Sequence, residues 1–440
     1  MNIKPIHAAI AGLLLVSPAA AQNEGWTLQQ CVAHAIENNL TIQRAENQAE
    51  QSKVEVNTAK WARLPNLNGS ANQNYSWGRA ASPIDNSYTN TNNSTSNFSL
   101  STNVPLFTGL ELPNRYSLSK LNLKAAIEDL NKAKNDIAIN VASAYVQVLF
   151  NRELAQVANE QAALSKEQLN RITRLAEVGK SSQAEIAEAK ARVAQDETSA
   201  VQAANNYNIA LLELSQLLEL PTSEGFSLAS PDEEPDFGKL TPPDAVFVQA
   251  LTARPEILAA QYRLEGSEKN IRIAQSGYYP TISFSAGLGS NFYTTKGRAG
   301  DNFLTQLDNH LNKYLGFSLN MPVFNRFATR NRVRNAKLQK QSYSIQLDET
   351  RKSLYKEIQQ AWYNAVAAEA KYNSGVVAVA AGEEFFRLVG EKFENGKATS
   401  IEYNEAKLSL MKALSDKIQA KYDYMFRSKV LDFYKGKPIQ

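Results

Sequence analysis

The stretch "NFSLSTNVPLF", Asn97 to Phe107, decides how the chain is read. Successive side chains of a strand point to opposite faces. Phe98, Leu100, Thr102, Val104 and Leu106 therefore share one face, and Asn97, Ser99, Ser101 and Asn103 share the other. The polar face carries no charge. A sheet packed on a soluble core is expected to show charge on its wet face. Apolar residues on one side and small polar residues on the other, at about ten residues per strand, are the pattern of a membrane β-barrel.

Three more segments follow the rule. In "TISFSAGLGSNF" Ile282, Phe284, Ala286, Leu288 and Phe292 alternate with Thr281, Ser283, Ser285, Gly287 and Asn291. In "LGFSLNMPVF" Leu315, Phe317, Leu319, Met321 and Val323 share a face. From Asn66 to Gly78 the alternation is weaker, with Leu67, Ala71, Tyr75 and Trp77 on one side. Trp61, Tyr75, Trp77, Tyr279, Phe292 and Tyr314 lie near strand ends, where an aromatic girdle would sit. The spacing predicts strands over 66–78, 96–107, 281–292 and 314–324, with polar, turn-rich loops between the members of each pair. Four strands cannot close a barrel, and an open edge cannot face lipid without stranding backbone N–H and C=O groups in hydrocarbon. The chain is thus expected to be an oligomer that shares one barrel.

The strands belong to a duplication. "GKSSQAEIAEAK" (Gly179 to Lys190) returns as "GKATSIEYNEAK" (Gly396 to Lys407), at an offset of 396 − 179 = 217. The same offset relates Pro105-Leu106-Phe107 to Pro322-Val323-Phe324, Asn114-Arg115 to Asn331-Arg332, and Ala144 to Ala361. A repeat this long is a two-fold duplication and not a solenoid. Each half reads helix, strand, loop, strand, very long helix, turn, long helix. The expected organisation is a signal peptide at 1–21, a first repeat at 22–220, a Pro-rich equatorial linker at 221–244 and a second repeat at 245–440. The long helices are expected at 113–178 and 182–219, and again at 329–394 and 399–436. Leu121, Ile127, Leu130, Ile137, Val141 and Val148 begin an apolar series at mostly three, four or seven spacing, which implies coiled-coil packing. At about 1.5 Å per residue the first of these helices would reach about 100 Å. These helices are too polar to cross a membrane, so they project from one.

Composition excludes several classes. With 47 basic and 44 acidic residues the formal net charge is +3, which leaves no electrostatic footprint for nucleic acid. Three scattered histidines and one cysteine, Cys31, make neither a metal site nor an internal disulfide. No cofactor is indicated. Lys4, the apolar run Ala8 to Val16 and Ala19-Ala20-Ala21 read as a cleaved signal peptide. "GKS" is not a phosphate loop: that motif needs a glycine five residues before the Gly-Lys pair, where this chain has Arg174 and Glu391. No nucleophile–base pair appears, and the chain is read as a non-enzyme.

In the two turns, Gly179 and Gly396 are expected to end one long helix in a left-handed cap. Ser182-x-x-Glu185 and Thr399-x-x-Glu402 read as capping boxes that open the next. Glu188 and Glu405 stand one turn further on, on the same helix face as Glu185 and Glu402. For Glu405 the plain alternative is a solvated face paired with a lysine.

The signal peptide, the duplicated helix–strand–strand–helix–helix unit, four barrel strands and giant helices resemble the TolC family of outer-membrane efflux channels. The marks are "TLQQCVAHAIENNLTIQRA", the strand ends "VPLF" and "MPVF", and the turns "RLAEVGKSSQAEIAEA" and "KFENGKATSIEYNEA". The resemblance implies an α+β membrane protein: a homotrimer with a shared twelve-stranded β-barrel in outer-membrane lipid, and long helices forming an α-helical periplasmic barrel. It implies an exit duct for tripartite efflux or type I secretion. The implied partners are a periplasmic adaptor protein and an inner-membrane pump of resistance-nodulation-division or ABC type. Matched position by position, the family's acidic gate falls on Glu402 and Glu405, leaving Glu185 and Glu188 to serve the fold. The docking tips fall on Gly179, Lys180, Gly396 and Lys397. Two positions of the family's closing network fall on Phe393, which lacks a hydroxyl, and Ala398, which lacks a charge, so the gate is expected to be held differently here, or more loosely. Lipidated relatives carry a cysteine at the mature N-terminus; this chain has none there. The competing reading is a non-transport tether, which would not need small polar residues on the inner barrel face, or an adaptor coiled coil, which would lack four lipid-facing strands.

Overall fold

A computed structural model describes residues 25–81, 87–229, 238, 240–296 and 299–437. The expected signal peptide, and residues 230–237 and 239 of the expected linker, lie outside the described residues. The elements are helices α1 (Leu28–Asn38) and α2 (Leu40–Trp61), strands β1 (Asn68–Ala81) and β2 (Tyr88–Thr108), and helices α3 (Glu111–Glu177) and α4 (Gln183–Leu217). The second half holds α5 (Pro243–Ala253), α6 (Pro255–Ser276), β3 (Thr281–Thr295), α7 (Phe303–Asn309), β4 (Asn312–Asn320), α8 (Ala328–Glu394) and α9 (Ser400–Tyr434). α3 and α8 are each 67 residues long, and α4 and α9 are each 35. No helix among the described residues is long and apolar enough to cross a membrane.

The duplication reaches the backbone. Gly109 and Leu110 (φ 62° and 66°) join β2 to α3 through two successive left-handed residues, and Arg326 and Phe327 (φ 55° and 61°) precede α8 in the same way. An added Cβ at Gly109 would lie 2.7 Å from the Ser276 carbonyl oxygen, which explains glycine there. Arg326 and Phe327 hold the same conformation with side chains that disfavour it.

The four strands form one antiparallel sheet in the order β1-β2-β3-β4. Its register puts Ala71 beside Phe98, Leu100 beside Leu288, and Phe284 beside Phe317. The apolar positions therefore line up on one face and the small polar ones on the other. Leu315 and Phe317 are 74% and 72% exposed, so no core among the described residues covers that face at β4. The outer edges of β1 and β4 pair with nothing among the described residues.

Several boundaries differ from the sequence expectation. β2 starts at Tyr88 and not near residue 96, because Tyr88 to Asn97 pair with Ala81 to Asn72 of β1; the Thr/Asn/Ser run reads as a turn only in isolation. β4 ends at Asn320, so Met321 and Val323 are not on a strand. β3 begins at Thr281, opposite Asn320, and offers no ladder beyond it. The first helix breaks at Asn39, whose side chain accepts the Thr41 amide, and its counterpart breaks at Arg254, before Pro255. The expected loop between β3 and β4 contains α7, which folds back onto the sheet. Phe303 of α7 meets Phe292 at 5.1 Å between ring centroids. The Gln306 side-chain amide bonds both the N–H and the C=O of Tyr293, at 3.0 and 3.1 Å, satisfying backbone groups that β4 stops short of.

Each repeat has its own core. Cys31, Ala35, Val141, Val148, Leu149 and Leu214 centre the first, between α1, α3 and α4. Val246, Ile257, Leu354, Ile358 and Leu431 centre the second, between α5, α6, α8 and α9. Tyr422 of α9 joins the first core, so the last helix ties the halves together. From these cores two helical hairpins, α3–α4 and α8–α9, run to their turns.

Candidate functional site

The far ends of the two hairpins bring the singled-out residues together. Gly179 (φ 76°) and Gly396 (φ 69°) are left-handed, as expected. Lys180 N–H bonds Leu175 C=O at 2.8 Å and Gly179 N–H bonds Ala176 C=O at 2.9 Å. Lys397 N–H and Gly396 N–H bond Lys392 and Phe393 carbonyls at 2.8 and 3.1 Å in the same pattern. Each turn is thus a Schellman motif. An added Cβ at either glycine would meet nothing within 4 Å, so the backbone angle and not crowding calls for glycine. Gly179, Lys180, Gly396 and Lys397 are all exposed at the apex.

The next helices open with reciprocal caps. Ser182 Oγ accepts the Glu185 amide at 3.2 Å while the Glu185 carboxylate accepts the Ser182 amide at 2.8 Å. Thr399 Oγ1 accepts the Glu402 amide at 3.2 Å, and the Glu402 carboxylate accepts the Thr399 amide at 2.7 Å. A hydrogen bond from the Ser181 hydroxyl, and then the Ser182 amide, hold the Glu185 carboxyl below its usual range. The Thr399 amide, and then the Thr399 hydroxyl, do the same for Glu402. Both stay ionised at neutral pH, beside a helix N-terminus that favours negative charge. Glu405 is exposed one turn on.

Glu188 does more than sit on its own helix. Its carboxylate accepts the Ser400 hydroxyl at 3.1 Å, across to the other hairpin. Arg171 of α3 meets Glu394 of α8 at 3.2 Å. Phe393, without a hydroxyl, stacks on Tyr403 with centroids 5.0 Å apart. Two of these contacts, Glu188–Ser400 and Arg171–Glu394, cross between the hairpins, while the Phe393–Tyr403 stack lies within α8–α9.

Sequence reasoning missed one site residue. Lys407, the last residue of the second motif, is 2% exposed. Its ammonium donates to Ser165 Oγ at 2.6 Å, to the Gln161 carbonyl at 3.3 Å and to Asp196 Oδ2 at 3.3 Å. Asp196 also accepts from the Ser165 hydroxyl and from Gln161 Nε2, and Arg192 Nε lies 3.5 Å from its other oxygen. Burial pulls the Lys407 ammonium below its usual range, against the opposing pull of Asp196. Between this cluster and the tip lies a cavity of about 30 Å³, lined by Ile172, Glu188, Arg192, Tyr403 and Asn404 among others.

A model of the family described as "Outer membrane efflux protein" matches residues 32–219 and 246–436, one segment in each repeat. The outer membrane efflux protein BepC of Brucella suis is 23% identical over 96% of this chain and 87% of its own length. The outer membrane protein TolC of Escherichia coli is 23% identical over 96% and 84%. The crystal structure of the outer membrane protein VceC of Vibrio cholerae superposes with a TM-score of 0.78 at 16% identity, covering 94% of this chain and 97% of that one. The CmeC outer membrane channel of Campylobacter jejuni gives 0.78 at 19% identity, over 99% and 93%.

Proposed function

The chain belongs to the outer membrane efflux protein family, and from that premise we propose how this sequence performs export. It is an outer-membrane channel with a long periplasmic extension, the exit duct of an efflux or secretion machine. The observation that carries the reading is a four-stranded sheet with an apolar outer face and two unpaired edges, joined directly to paired 67-residue helices. The sheet can enter lipid only when its edges are paired. Three copies close a twelve-stranded barrel, edge β4 of one on edge β1 of the next. The small polar face then lines the lumen, and α3–α4 and α8–α9 of three subunits continue the duct into the periplasm.

Glu402 and Glu405 of three subunits form a cation-attracting constriction at the periplasmic entrance. Glu402 supports this because its carboxylate is fixed by its own cap and stays ionised. The exposed apices at Gly179, Lys180, Gly396 and Lys397 face a periplasmic adaptor, and through it an inner-membrane pump of resistance-nodulation-division or ABC type. The test is single-channel recording of the purified trimer in a planar bilayer. The E402A/E405A variant is expected to lose cation preference and block by multivalent cations. Unchanged selectivity and block would overturn the gate assignment. For the adaptor, tryptophan at Gly179 or Gly396 is expected to abolish crosslinking in cells while trimers persist; crosslinking that persists with both would refute the docking assignment.

A further inference from the structure

The seam between the two hairpins is held unevenly along its length. Towards the barrel, the Glu153 carboxylate of α3 accepts Tyr422 Oη at 2.9 Å and Lys421 Nζ at 3.1 Å, both from α9, and Tyr422 is buried in the first core. Fourteen residues further along α9, about 21 Å at 1.5 Å per residue, stands the Lys407 socket. Between the socket and the tip the polar links across the seam are solvent-facing: the Arg171 and Glu394 side chains are 37% and 62% exposed, and the Ser400–Glu188 bond is exposed. Exposed pairs of this kind contribute little. The 30 Å³ cavity lies in the same span, so packing there is incomplete. Lys407 is thus the last buried polar anchor of the seam before the tip, among the described residues.

Its chemistry is one-sided. The cation comes from α9, and every partner comes from the first hairpin: Gln161 and Ser165 on α3, Asp196 on α4. A buried ammonium is costly to leave unpaired, so this contact fixes one axial and rotational setting of α9 against α3 and α4. The tips have no comparable constraint.

We propose that Lys407 and its socket are the pivot of the channel gate: α9 stays pinned there, and opening swings only the segment of α8–α9 between the socket and the tip. Lys407 is a positioning residue. It acts on the entrance through the eight-residue lever to Thr399, about 12 Å of helix. The inference rests on the reading of Glu402 and Glu405 as the constriction.

The test is single-channel conductance of trimers carrying K407M, D196N or both K407M and D196L. Each single variant leaves one buried charged or polar partner unmatched, so water enters the seam and the tip is released. The expected result is a several-fold rise in conductance for K407M and D196N, with the double variant, which removes both members of the ion pair but leaves Ser165 and Gln161 without those partners, falling below the single variants. A disulfide between the pivot and the tip supplies the control: E188C/S400C, whose parent side chains already touch, is expected to clamp the tip. Added to K407M, it should return conductance to the wild-type level until a reductant is supplied. Loss of trimer stability with unchanged conductance, in both single variants, would make the cluster a fold element and overturn the pivot. So would a conductance rise that the E188C/S400C disulfide does not suppress. The two readings fail separately: the constriction is read by cation selectivity in E402A/E405A, the pivot by conductance in K407M.

Discussion

Helices α8 and α9 approach so closely at Gly375 that an added Cβ would lie 3.1 Å from Lys417 Cα and 3.2 Å from its Cβ. One and a half to two turns along, at Gly382, the same atom would lie 3.4 Å from Leu410 Cδ1 and 3.5 Å from Leu410 Cα, which is ordinary contact. The two positions predict opposite outcomes for one substitution. Glycine to alanine in a helix interior gains about 1 kcal/mol from propensity. At Gly382 nothing opposes the gain, so G382A should stabilise each protomer by about 0.5–1 kcal/mol. At Gly375 the clash is with backbone of the partner helix, which cannot rotate away, and overpacking of this kind costs about 1–3 kcal/mol. The net for G375A is between neutral and about 2 kcal/mol destabilising. Urea unfolding of the detergent-solubilised protein, followed by helical circular dichroism, reads both as midpoint shifts against wild type. G382A should move the midpoint up and G375A should not. Equal upward shifts would show that α8 and α9 do not touch through backbone at Gly375, and the close helical packing of the periplasmic duct would be refuted.

Two other outcomes follow from titrating groups. The Glu185 and Glu402 carboxyls are held below their usual 4.5, so the stability they lend the caps is complete above that value and is lost as pH falls through the lower folded value. Hydrogen exchange of the peptide spanning residues 395–403, taken as a ratio to E402Q at the same pH, should show protection at pH 6 that disappears in acid; a ratio independent of pH refutes the cap. Cys31 is buried in the first core, and desolvation pushes its thiol up to about 12. A maleimide at pH 8 should leave it unlabelled in the folded protein and label it fully in denaturant, and rapid labelling of the native trimer would contradict that core.

The residues that made the fold legible were those whose pattern is local. Alternation in Asn97–Phe107 and Thr281–Phe292 needs no partner to be read, and a Gly followed by Ser-x-x-Glu or Thr-x-x-Glu announces a helix end and the next start within seven residues. What escaped depends on partners distant in sequence. Tyr88 to Asn97 look like a turn because Asn, Thr and Ser favour turns; only β1, laid alongside, makes them strand. Met321 to Phe324 match the end of β2 in sequence, yet β3 gives them no neighbour. Gln306 stands in a polar loop by composition and is buried because its amide replaces a strand. Lys407 is the clearest case. The duplication matches it with Lys190, which is exposed, whereas Lys407 is buried. Identity between the repeats hid the difference, because burial is set by which hairpin lies across the seam. The usable signal was Asp196 and Ser165, polar residues among the alanines of long helices, and the repeat gave no reason to pair them with residue 407.

The central claim is that the open edges of the four-stranded sheet close on other copies of the same chain. Cysteine pairs across those edges test it directly. Asn68, Ser70 and Asn72 of β1, and Gly316, Ser318 and Asn320 of β4, lie on the small polar face, and the native thiol of Cys31 is buried and does not compete. A panel joining each β1 position with each β4 position, oxidised in isolated outer membranes and run on non-reducing denaturing gels, should contain pairs that yield covalent trimers and nothing larger. A panel that yields only monomers under every pairing would contradict the shared barrel.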